Sequence, residues 1–242
     1  MTKIAMWSGP RSISTALMRS FENRPDTFVS DEPFYAHYLH VTGEDHPYCK
    51  DIILQGEINW DKVAQYITGD IPGGKNIWYQ KHMAQHNLPG KDLTLIYKMH
   101  NIILIRDPRD VILSYINKNK VQNISQLGYM QQSKLFTMLK DRSHTIPLVM
   151  DARDVLKDPE NFLKELCSRI NIPFYKEMLS WPAGKRDSDG IWGKHWNGNV
   201  ERSTGFKKYV NNSNHLPQEL EGIFTDCMEY YQQLYQHRMR VI

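Results

Sequence analysis

The sequence predicts an α/β protein in which helices cover both faces of a parallel β-sheet. Short apolar runs alternate with amphipathic segments along the chain, and the run over residues 102–105 contains no polar residue. A continuous apolar strand is typical of a parallel sheet buried on both faces, and regular alternation of strands and helices favours parallel pairing. The 242 residues, 40% of them hydrophobic, suffice for one substantial core, so we predict a single domain over residues 1–242.

Local patterns give the order of the predicted elements. Apolar runs predict strands over 4–7, 27–30, 76–80, 102–105 and 146–150. Helical spacing of apolar residues predicts helices that begin near residues 13, 60, 108, 122, 159 and 217. The segments 34–75 and 181–209 show little periodicity outside 60–67. We expect both to be irregular covering segments, since long irregular segments in compact domains are often functional.

The first strand leads through small residues into an amphipathic helix. The stretch from Ile4 to Phe21 reads IAMWSGPRSISTALMRSF. Backbone N–H groups of the loop and the positive end of the helix dipole would converge on one point. An ordinary Gly-Pro turn into a helix is the alternative. The stretch predicts a phosphate-binding loop that consists of Gly9, Pro10, Arg11, Ser12, Ile13, Ser14 and Thr15.

This loop differs from G-x-x-x-x-G-K-[ST], the pattern of nucleotide triphosphatases. Arg11 comes early, Ile13 stands where a glycine is expected, and no lysine precedes Ser14. Arginine offers a planar fork of donors suited to phosphate or sulfate and needs no metal ion as intermediary. We therefore predict a parallel sheet of the P-loop type whose loop binds an anion without a metal.

Charged residues follow three other predicted strands. Asp31 and Glu32 come after the second strand, Lys81 after the third and Arg106 after the fourth. In open parallel sheets ligands bind at the carboxyl ends of the strands. Glu32 is therefore a candidate acid or base, and Lys81 is a candidate anion ligand. Two structural alternatives stay open: a helix cap for Asp31 or Glu32, and a salt bridge to a nearby aspartate for Arg106.

Composition excludes several function classes. A net charge of +3 is too small for a general nucleic-acid binder, but six Lys and Arg against three Asp and Glu over residues 184–208 favour an anionic ligand there. Cys49, Cys167 and Cys227 form no CxxC pair, so we expect a reducing compartment and no zinc site. Since no apolar run is long enough for a signal sequence or a membrane span, we expect a cytoplasmic protein without a membrane partner.

Four motifs together resemble the sulfotransferase superfamily: WSGPRSISTALMRSF, SDEPF at 30–34, QKH at 80–82 and LIRDPRDVILSY at 104–115. The likeness is nearest to the branch with the tyrosylprotein sulfotransferases and the bacterial trehalose and Nod-factor type enzymes. It implies in-line transfer of a sulfonyl group to a hydroxyl or amine. The cosubstrate would be 3′-phosphoadenosine 5′-phosphosulfate (PAPS), with no metal, and the acceptor a small molecule or a modified polymer.

The resemblance also implies roles for single residues. The early loop would hold the 5′-phosphosulfate, and Arg106 together with Ser114, eight residues later, would hold the 3′-phosphate. Glu32 matches the position of the catalytic base. Arg11 and Lys81 would stabilise charge on the transferring sulfonyl group. A late cofactor-binding loop is matched more loosely, by Ser203, Thr204 and Lys207.

Departures from the family pattern leave alternatives open. Ile13 replaces a glycine that lets the backbone approach a ligand most closely. Other members use a histidine in a Lys-x-His pattern as base, and here His82, next to Lys81, is the second candidate base, with His86 the third. A Mg²⁺-dependent small-molecule kinase would need an acid such as Asp107 after an apolar strand. A noncatalytic relative would bind the nucleotide without turnover.

Overall fold

The structure is a computed structural model that describes residues 1–142, 146–211 and 214–241. Its strands are β1 Thr2–Ser8, β2 Thr27–Asp31, β3 Ile77–Met83, β4 His100–Ile105 and β5 Leu148–Asp151. They form one sheet in the order β2-β3-β1-β4-β5, and every neighbouring pair is parallel. The predicted class, an α/β protein with a parallel sheet, is confirmed.

The helices connect these strands and cover the sheet. They are α1 Ser14–Glu22, α2 Tyr35–Thr42, α3 Cys49–Gln55, α4 Trp60–Thr68, α5 Pro108–Ile116, α6 Tyr129–Arg142, α7 Ala152–Lys157, α8 Pro159–Arg169, α9 Gly193–Trp196, α10 Gly198–Glu201 and α11 Glu221–Tyr235. Pro108 and Pro159 each stand at the start of a helix, where a missing N–H and a fixed φ are favourable.

Two hydrophobic cores lie on opposite faces of the sheet. Met6 of β1 packs in one core with Leu17 of α1, whereas its neighbour Trp7 packs in the other with Leu135 of α6. Successive side chains of a strand point to opposite faces. A strand covered by helices on both faces is therefore apolar on both sides, which is the pattern of residues 4–7 in β1 and 102–105 in β4.

The segment 34–75 is more regular than the sequence predicts, so that expectation is wrong in part. Helices α2 and α3 lie there in addition to the predicted α4. Helix α2 buries five consecutive residues, from Tyr35 to Leu39, and a helix buried nearly all round shows no amphipathic period. The segment 181–209 contains only α9 and α10, each of four residues.

The predicted helix from residue 122 also needs correction. The structure has a 3₁₀ turn over Ile124–Leu127, and α6 begins only at Tyr129. Gly128 separates the two with a φ of 79°, in the left-handed region that glycine adopts without steric cost. Because Gly128 ends the 3₁₀ turn, the apolar residues that looked like one helix belong to two elements, the turn and α6.

Most of the predicted site residues lie at or near the carboxyl ends of β1, β2, β3 and β4. Strand β1 leads into the loop before α1, β2 ends at Asp31, and Lys81 lies near the end of β3, paired in register with Asp31. Arg106 follows β4 directly. As a separate observation, none of the described helices has the length and hydropathy needed to cross a lipid bilayer.

Candidate active site

The loop between β1 and α1, with the first residues of α1, forms a concave backbone surface over residues 9–15, which we call the cradle. Arg11 has a φ of 57° and Ile13 a φ of 62°, with Ser12 between them at negative φ. Such alternation turns successive N–H groups to one side and makes a nest for an anion. Helix α1 begins directly at Ser14, so its dipole adds positive potential at the same place.

Ile13 holds a backbone conformation that a β-branched residue rarely adopts. The position is the one at which the sequence resemblance expects a glycine, and the structure keeps the left-handed backbone that glycine favours. Strain of this kind costs about 1–3 kcal/mol and persists only where the surroundings fix it. Ile13 packs at the edge of the core that contains Leu17, which fixes the strained residue.

The start of the cradle is fixed by close backbone packing. A Cβ atom on Gly9 would lie 2.5 Å from the carbonyl oxygen of Leu127, so only glycine fits there. The side chain of Gln132 donates to the carbonyl oxygens of Trp7, at 3.1 Å, and of Leu104, at 2.7 Å. Gln132 thereby ties the ends of β1 and β4 together beneath the cradle, a role that its position in a polar sequence stretch does not reveal.

Two arginines meet at the cradle. The Arg11 guanidinium donates to Ser114 Oγ at 2.9 Å and to the carbonyl oxygen of Trp196 at 3.2 Å. Arg106 donates to the backbone carbonyl of Arg11 at 2.8 Å and lies 3.4 Å from a carboxylate oxygen of Asp110. Burial and the charge of Arg106 lower the pKa of Arg11. Like charges held this close favour a bound anion.

The salt bridge that the sequence left open for Arg106 is therefore present, in a loose form, with Asp110. Asp107, by contrast, caps α5, because its carboxylate accepts the N–H of Arg109 at 2.9 Å. The Asp107 carboxylate therefore caps a helix N-terminus and is not positioned by the sheet edge to hold a metal ion.

A late segment, residues 203–210, lies over the cradle. Ser203 accepts the indole N–H of Trp181 at 3.2 Å, and the carbonyl of Thr204 accepts the backbone N–H of Trp181 at 3.1 Å. Phe206 packs edge-on against the same indole. These contacts hold the segment so that Ser203 and Lys207 face the cavity above the cradle.

At the ends of β2 and β3 three charged side chains form a compact group, which we call the triad. Lys81 Nζ lies 2.6 Å from Asp31 Oδ1 and 2.7 Å from Glu32 Oε1. The exposed fractions of the side chains are 4% for Lys81, 1% for Asp31 and 10% for Glu32. Neither carboxylate caps α2, whose N-cap is Phe34 without a side-chain hydrogen bond. The capping alternative is therefore wrong.

The triad holds one more negative than positive charge when both carboxylates are ionised. Burial raises the pKa of Glu32 to about 7; the charge of Lys81 opposes this rise and that of Asp31 adds to it. For Lys81, burial acts to lower the pKa, but the two carboxylates outweigh it and raise the pKa above its usual value. Asp31 thus balances Lys81, and Glu32 is the group that can exchange a proton near neutral pH.

Beyond the triad lies a group of aromatic and polar side chains that we call the aromatic end: Tyr35, His46, Gln85, His86 and Trp192. Tyr35 and Tyr38 stack on the two sides of His86, each with ring centroids 4.7 Å apart. The hydroxyl of Tyr35 lies 2.7 Å from Nδ1 of His46. Burial lowers the pKa of both histidines, so both imidazoles are neutral at pH 7.

One cavity of about 450 Å³ joins these parts. The predicted site residues that line it are Pro10, Arg11, Ser12, Ile13, Ser14, Thr15, Glu32, Lys81, Arg106, Ser114, Ser203 and Lys207. Gly9 and Thr204 support the cavity from behind. His82 lies elsewhere: it stacks on Trp7 at 4.2 Å, and burial lowers its pKa to about 3. His82 is thus not among the residues that line the cavity, whereas His86 lines it.

The sequence did not single out several residues of the cavity. The aromatic end was not predicted, apart from His86 as a third candidate base. Asp31, which pairs with Lys81 behind the cavity lining, was noted at a strand end but given no role other than a helix cap. Trp192 and Trp196 belong to the stretch IWGKHW at 191–196, whose density of aromatic residues was a usable signal. The stretch is anchored to α1 by the ion pair between Arg19 and Asp189, at 2.5 Å.

Fold and cavity together define an anion-binding α/β domain of the P-loop type. The chain belongs to the sulfotransferase domain family, whose model matches residues 2–237. The family resemblance inferred from the sequence motifs is thereby confirmed.

Two proteins of Arabidopsis thaliana are similar in sequence. Branched-chain-amino-acid aminotransferase-like protein 1 is 39% identical over 210 residues, which cover 85% of this chain and 37% of that protein. Branched-chain-amino-acid aminotransferase-like protein 2 is 34% identical over 231 residues, which cover 96% of this chain and 41% of that protein. The chain therefore spans about two-fifths of the length of these curated relatives.

Solved structures share the fold at low sequence identity. The sulfotransferase domain of the Synechococcus PCC 7002 olefin synthase superposes with a TM-score of 0.61 at 15% identity, covering 96% of this chain and 94% of that one. The sulfotransferase domain from the curacin biosynthetic pathway gives 0.55 at 15% identity, covering 94% and 97%. A mouse sulfotransferase complexed with PAP gives 0.50 at 15% identity, covering 97% and 88%.

Proposed function

We propose that this domain transfers a sulfonyl group from PAPS to a hydroxyl or amine of an acceptor, with Glu32 as the base. The observation that carries the proposal is the triad, because it sets a buried carboxylate with a pKa of about 7 opposite an anion-binding cradle in one cavity. A base is most effective when its pKa lies near the working pH. Membership of the sulfotransferase domain family supports the same reaction.

The cradle and its neighbours fit the phosphates of the donor. The nest at Arg11 and Ile13 suits the 5′-phosphosulfate, whose charge the N-terminus of α1 also attracts. Arg106 and Ser114 would hold the 3′-phosphate, with Arg11 linked to Ser114 at 2.9 Å. Burial and the charge of Arg106 lower the pKa of Arg11, and a bound anion would offset both effects. Ser203 and Lys207 would close over the nucleotide.

Glu32 and Lys81 would have different roles in the reaction. Glu32 takes the proton from the acceptor while the acceptor oxygen or nitrogen forms a bond to sulfur. The bond from sulfur to the bridging phosphate oxygen breaks, and adenosine 3′,5′-bisphosphate leaves with that electron pair. Lys81 stabilises negative charge on the sulfonyl oxygens at a place where water is excluded, so its effect is large.

A Mg²⁺-dependent kinase is the first alternative, and the geometry supports it less. Asp107, the acid that it would use, accepts the N–H of Arg109 and caps α5. A noncatalytic nucleotide-binding protein remains the second alternative, and it differs from the enzyme only in turnover.

The names of the Arabidopsis relatives refer to an aminotransferase, and we do not extend that activity to this domain. An aminotransferase lysine must lose its proton to form a Schiff base, which needs a lowered pKa. Lys81, the buried lysine of the cavity, has a raised pKa because it pairs with two carboxylates. The region shared with these relatives is covered by the sulfotransferase domain model.

We also propose that the protein works in the reducing environment of the cytoplasm. Cys49, Cys167 and Cys227 are free thiols, and the latter two are buried. The acceptor would be a small molecule or a group on a modified polymer.

The test uses sulfur-labelled PAPS with a panel of hydroxyl and amine acceptors, followed by Glu32→Gln on the best acceptor. Glu32→Gln keeps the size of the side chain but cannot accept the proton, so turnover should fall by about 10²- to 10⁴-fold. Nucleotide affinity should change by less than about threefold, since the cradle is untouched. Glu57→Gln is the matched control, because Glu57 pairs with Lys62 on the surface at 3.6 Å. Near-normal turnover in Glu32→Gln would show that another group is the base, with His86 next to be tested.

A further inference from the structure

Residues 186–197, which we call the strap, contact both the cradle and the triad. The carbonyl oxygen of Trp196 accepts a hydrogen bond from the Arg11 guanidinium at 3.2 Å. The backbone N–H of Gly190 donates to Oδ2 of Asp31 at 3.4 Å. One continuous segment therefore touches the anion-binding loop and the charged group that contains the proposed base.

Asp189 fixes the strap to helix α1. One of its carboxylate oxygens accepts from Arg19 at 2.5 Å and from the backbone N–H of Arg186 at 2.9 Å. The other accepts from the side-chain amide of Asn197 at 3.4 Å. The exposed fractions of the Arg19 and Asp189 side chains are 1% and 8%. Breaking a buried ion pair of this kind leaves an uncompensated charge, so the strap is held firmly to the helix that ends the cradle.

The indole ring of Trp192 is fixed by its neighbours. A Cβ atom on Gly190 would overlap this ring, so the ring lies directly over the glycine backbone. Tyr35 packs edge-on against the same indole, with ring centroids 5.0 Å apart. Trp192 also packs against the small hydrophobic cluster that contains Tyr35 and Leu39. These contacts set the direction of the indole N–H.

The buried indole N–H of Trp192 is a hydrogen-bond donor to the Glu32 carboxylate. The contact is long or bent, because Nε1 of Trp192 makes no hydrogen bond of regular geometry with any described residue. Both side chains line the cavity, and the backbone N–H of Tyr35 donates to the carbonyl oxygen of Glu32 at 3.0 Å. Since an indole N–H can only donate, the contact favours the carboxylate over the neutral acid.

Lys81 cannot do this for Glu32 alone. Its ammonium lies 2.6 Å from Asp31 Oδ1 and 2.7 Å from Glu32 Oε1, so it is shared between two carboxylates. In the proposed reaction it also stabilises the sulfonyl oxygens. The indole of Trp192 is a neutral donor that Asp31 does not share, and it leaves the ammonium available for the transferred group.

Other titratable groups surround this contact. The phenol of Tyr35 and the imidazoles of His46 and His86 line the same cavity, and His195 lies on the strap itself. Burial raises the pKa of Tyr35 and lowers those of His46 and His86. A measurement on Glu32 must therefore observe that carboxyl group directly.

From these contacts we propose that Trp192 is a positioning residue for Glu32. The strap holds the indole N–H against the carboxylate, which orients that carboxylate in the cavity and favours its ionised form. This inference rests on the proposed function, in which Glu32 is the base.

The test follows the carboxyl signal of Glu32 by NMR in the full chain, with ¹³C at the side-chain carboxyl of glutamate. The signal that is missing from Glu32→Gln identifies Glu32. Its midpoint should lie at about pH 7 in the unsubstituted protein. Trp192→Phe keeps an aromatic ring but removes the N–H, so it should move the midpoint up by about one pH unit. At neutral pH this shift would lower the ionised fraction, and with it turnover, about fivefold.

Trp60→Phe is the matched control. It also removes a buried indole N–H, but Trp60 stacks on Phe34 with ring centroids 5.6 Å apart and is not among the residues that line the cavity. It should leave the midpoint of Glu32 unchanged. Both variants should bind adenosine 3′,5′-bisphosphate within about threefold of the unsubstituted protein, since neither alters the cradle.

A second pair of variants tests the strap. Gly190→Ala keeps the indole of Trp192 but displaces it, because the new methyl group would overlap the ring. It should therefore move the midpoint of Glu32 up by at least about half a pH unit. Gly222→Ala, whose Cβ position has no atom within 4 Å, should leave the midpoint in place.

An unmoved midpoint in Trp192→Phe, or equal shifts in Trp192→Phe and Trp60→Phe, would overturn the proposal. A midpoint that Gly190→Ala does not move would overturn the role given to the strap. These titrations need no acceptor, so they can fail while the proposed function holds. Failure of the bisphosphate to bind, or near-normal sulfonyl transfer by Glu32→Gln, would instead refute the proposed function.

Discussion

The two ends of the cavity handle charge in opposite ways. We call the cradle, together with Arg106 and Ser114, the cationic end. There burial and the charge of Arg106 both lower the pKa of Arg11. At the aromatic end the histidines are neutral. Between the two ends, Lys81 is balanced by its carboxylates.

This difference in charge indicates where the anionic cosubstrate of the proposed reaction would bind. A highly charged nucleotide gains most at the cationic end, where it balances two guanidinium groups. The aromatic end, whose imidazoles and phenols are neutral, attracts an anion less. In the proposed reaction the triad stands between the two ends, where Glu32 would act as the base and Lys81 would stabilise the transferred group. The predictions below test this division.

The largest effect is expected for Lys81→Gln. The substitution removes charge that stabilises the sulfonyl oxygens, and it leaves Asp31 and Glu32 facing each other without a cation, which raises the pKa of Glu32 further. We expect turnover to fall by about 10²- to 10³-fold, with nucleotide affinity little changed. Lys62→Gln, in the exposed pair with Glu57, is the matched control. Because loss of a buried ion-pair partner destabilises, circular dichroism must first show that the variant is folded at the assay temperature.

Arg106→Ala tests the cationic end. Loss of a charge-assisted contact should weaken binding of adenosine 3′,5′-bisphosphate by about 10- to 150-fold. Adenosine 5′-phosphate, which lacks the 3′-phosphate, should lose far less affinity. Calorimetric titration of both ligands checks this difference. Equal losses would assign Arg106 to holding the Arg11 carbonyl and pairing with Asp110 rather than to the ligand.

Asp31→Asn tests the assignment of the neutral-pH proton to Glu32. A base must be unprotonated, so kcat/KM should rise with pH through about 7 in the native protein. Without the Asp31 charge, Lys81 pairs with Glu32 alone and lowers the pKa of Glu32. The acid limb of the pH profile should therefore move down by about one unit. An unmoved limb would show that Asp31 does not influence the base.

Much of the cationic end was predictable from the sequence, and the aromatic end was not. The cradle is one contiguous stretch, and Arg106 with Ser114 forms another, so strand ends and spacing place them. The aromatic end joins side chains from α2, the loop between α2 and α3, the turn after β3 and the segment before α9. These segments are far apart in the sequence, so no local sequence pattern marks the site. Only the sheet topology brings these segments together.

The other differences between prediction and structure also come from contacts that are distant in the sequence or from burial. Helix α2 is buried nearly all round, so it lacks the period that marks an amphipathic helix. Asp31 looked like a helix cap because its partner, Lys81, is fifty residues away. His82 was a candidate base because other family members use a histidine near the lysine, and it ranked only second because alternation along the strand turns His82 and Lys81 to opposite faces.

Gly9→Ala should give the smallest effect, and the effect is measured on stability. The new methyl group would meet the Leu127 carbonyl at 2.5 Å, and relief of that overlap should lower the free energy of unfolding by about 1–3 kcal/mol. Gly222→Ala is the control: nothing lies within 4 Å of its Cβ position in α11, so stability should rise by about 0.5–1 kcal/mol. Urea unfolding measures the free energy of unfolding of both variants. Equal changes in the two would mean that the close approach of Gly9 to Leu127 does not destabilise the Gly9→Ala variant.

The most direct test of the central claim is the choice of nucleotide. Titration calorimetry compares adenosine 3′,5′-bisphosphate without Mg²⁺ to ATP with Mg²⁺ on the same protein. The account predicts that the bisphosphate binds without the metal and at least about tenfold more tightly than ATP, because Arg106 and Ser114 receive a 3′-phosphate that ATP lacks. Tighter binding of ATP that depends on Mg²⁺ would contradict the account and favour the kinase.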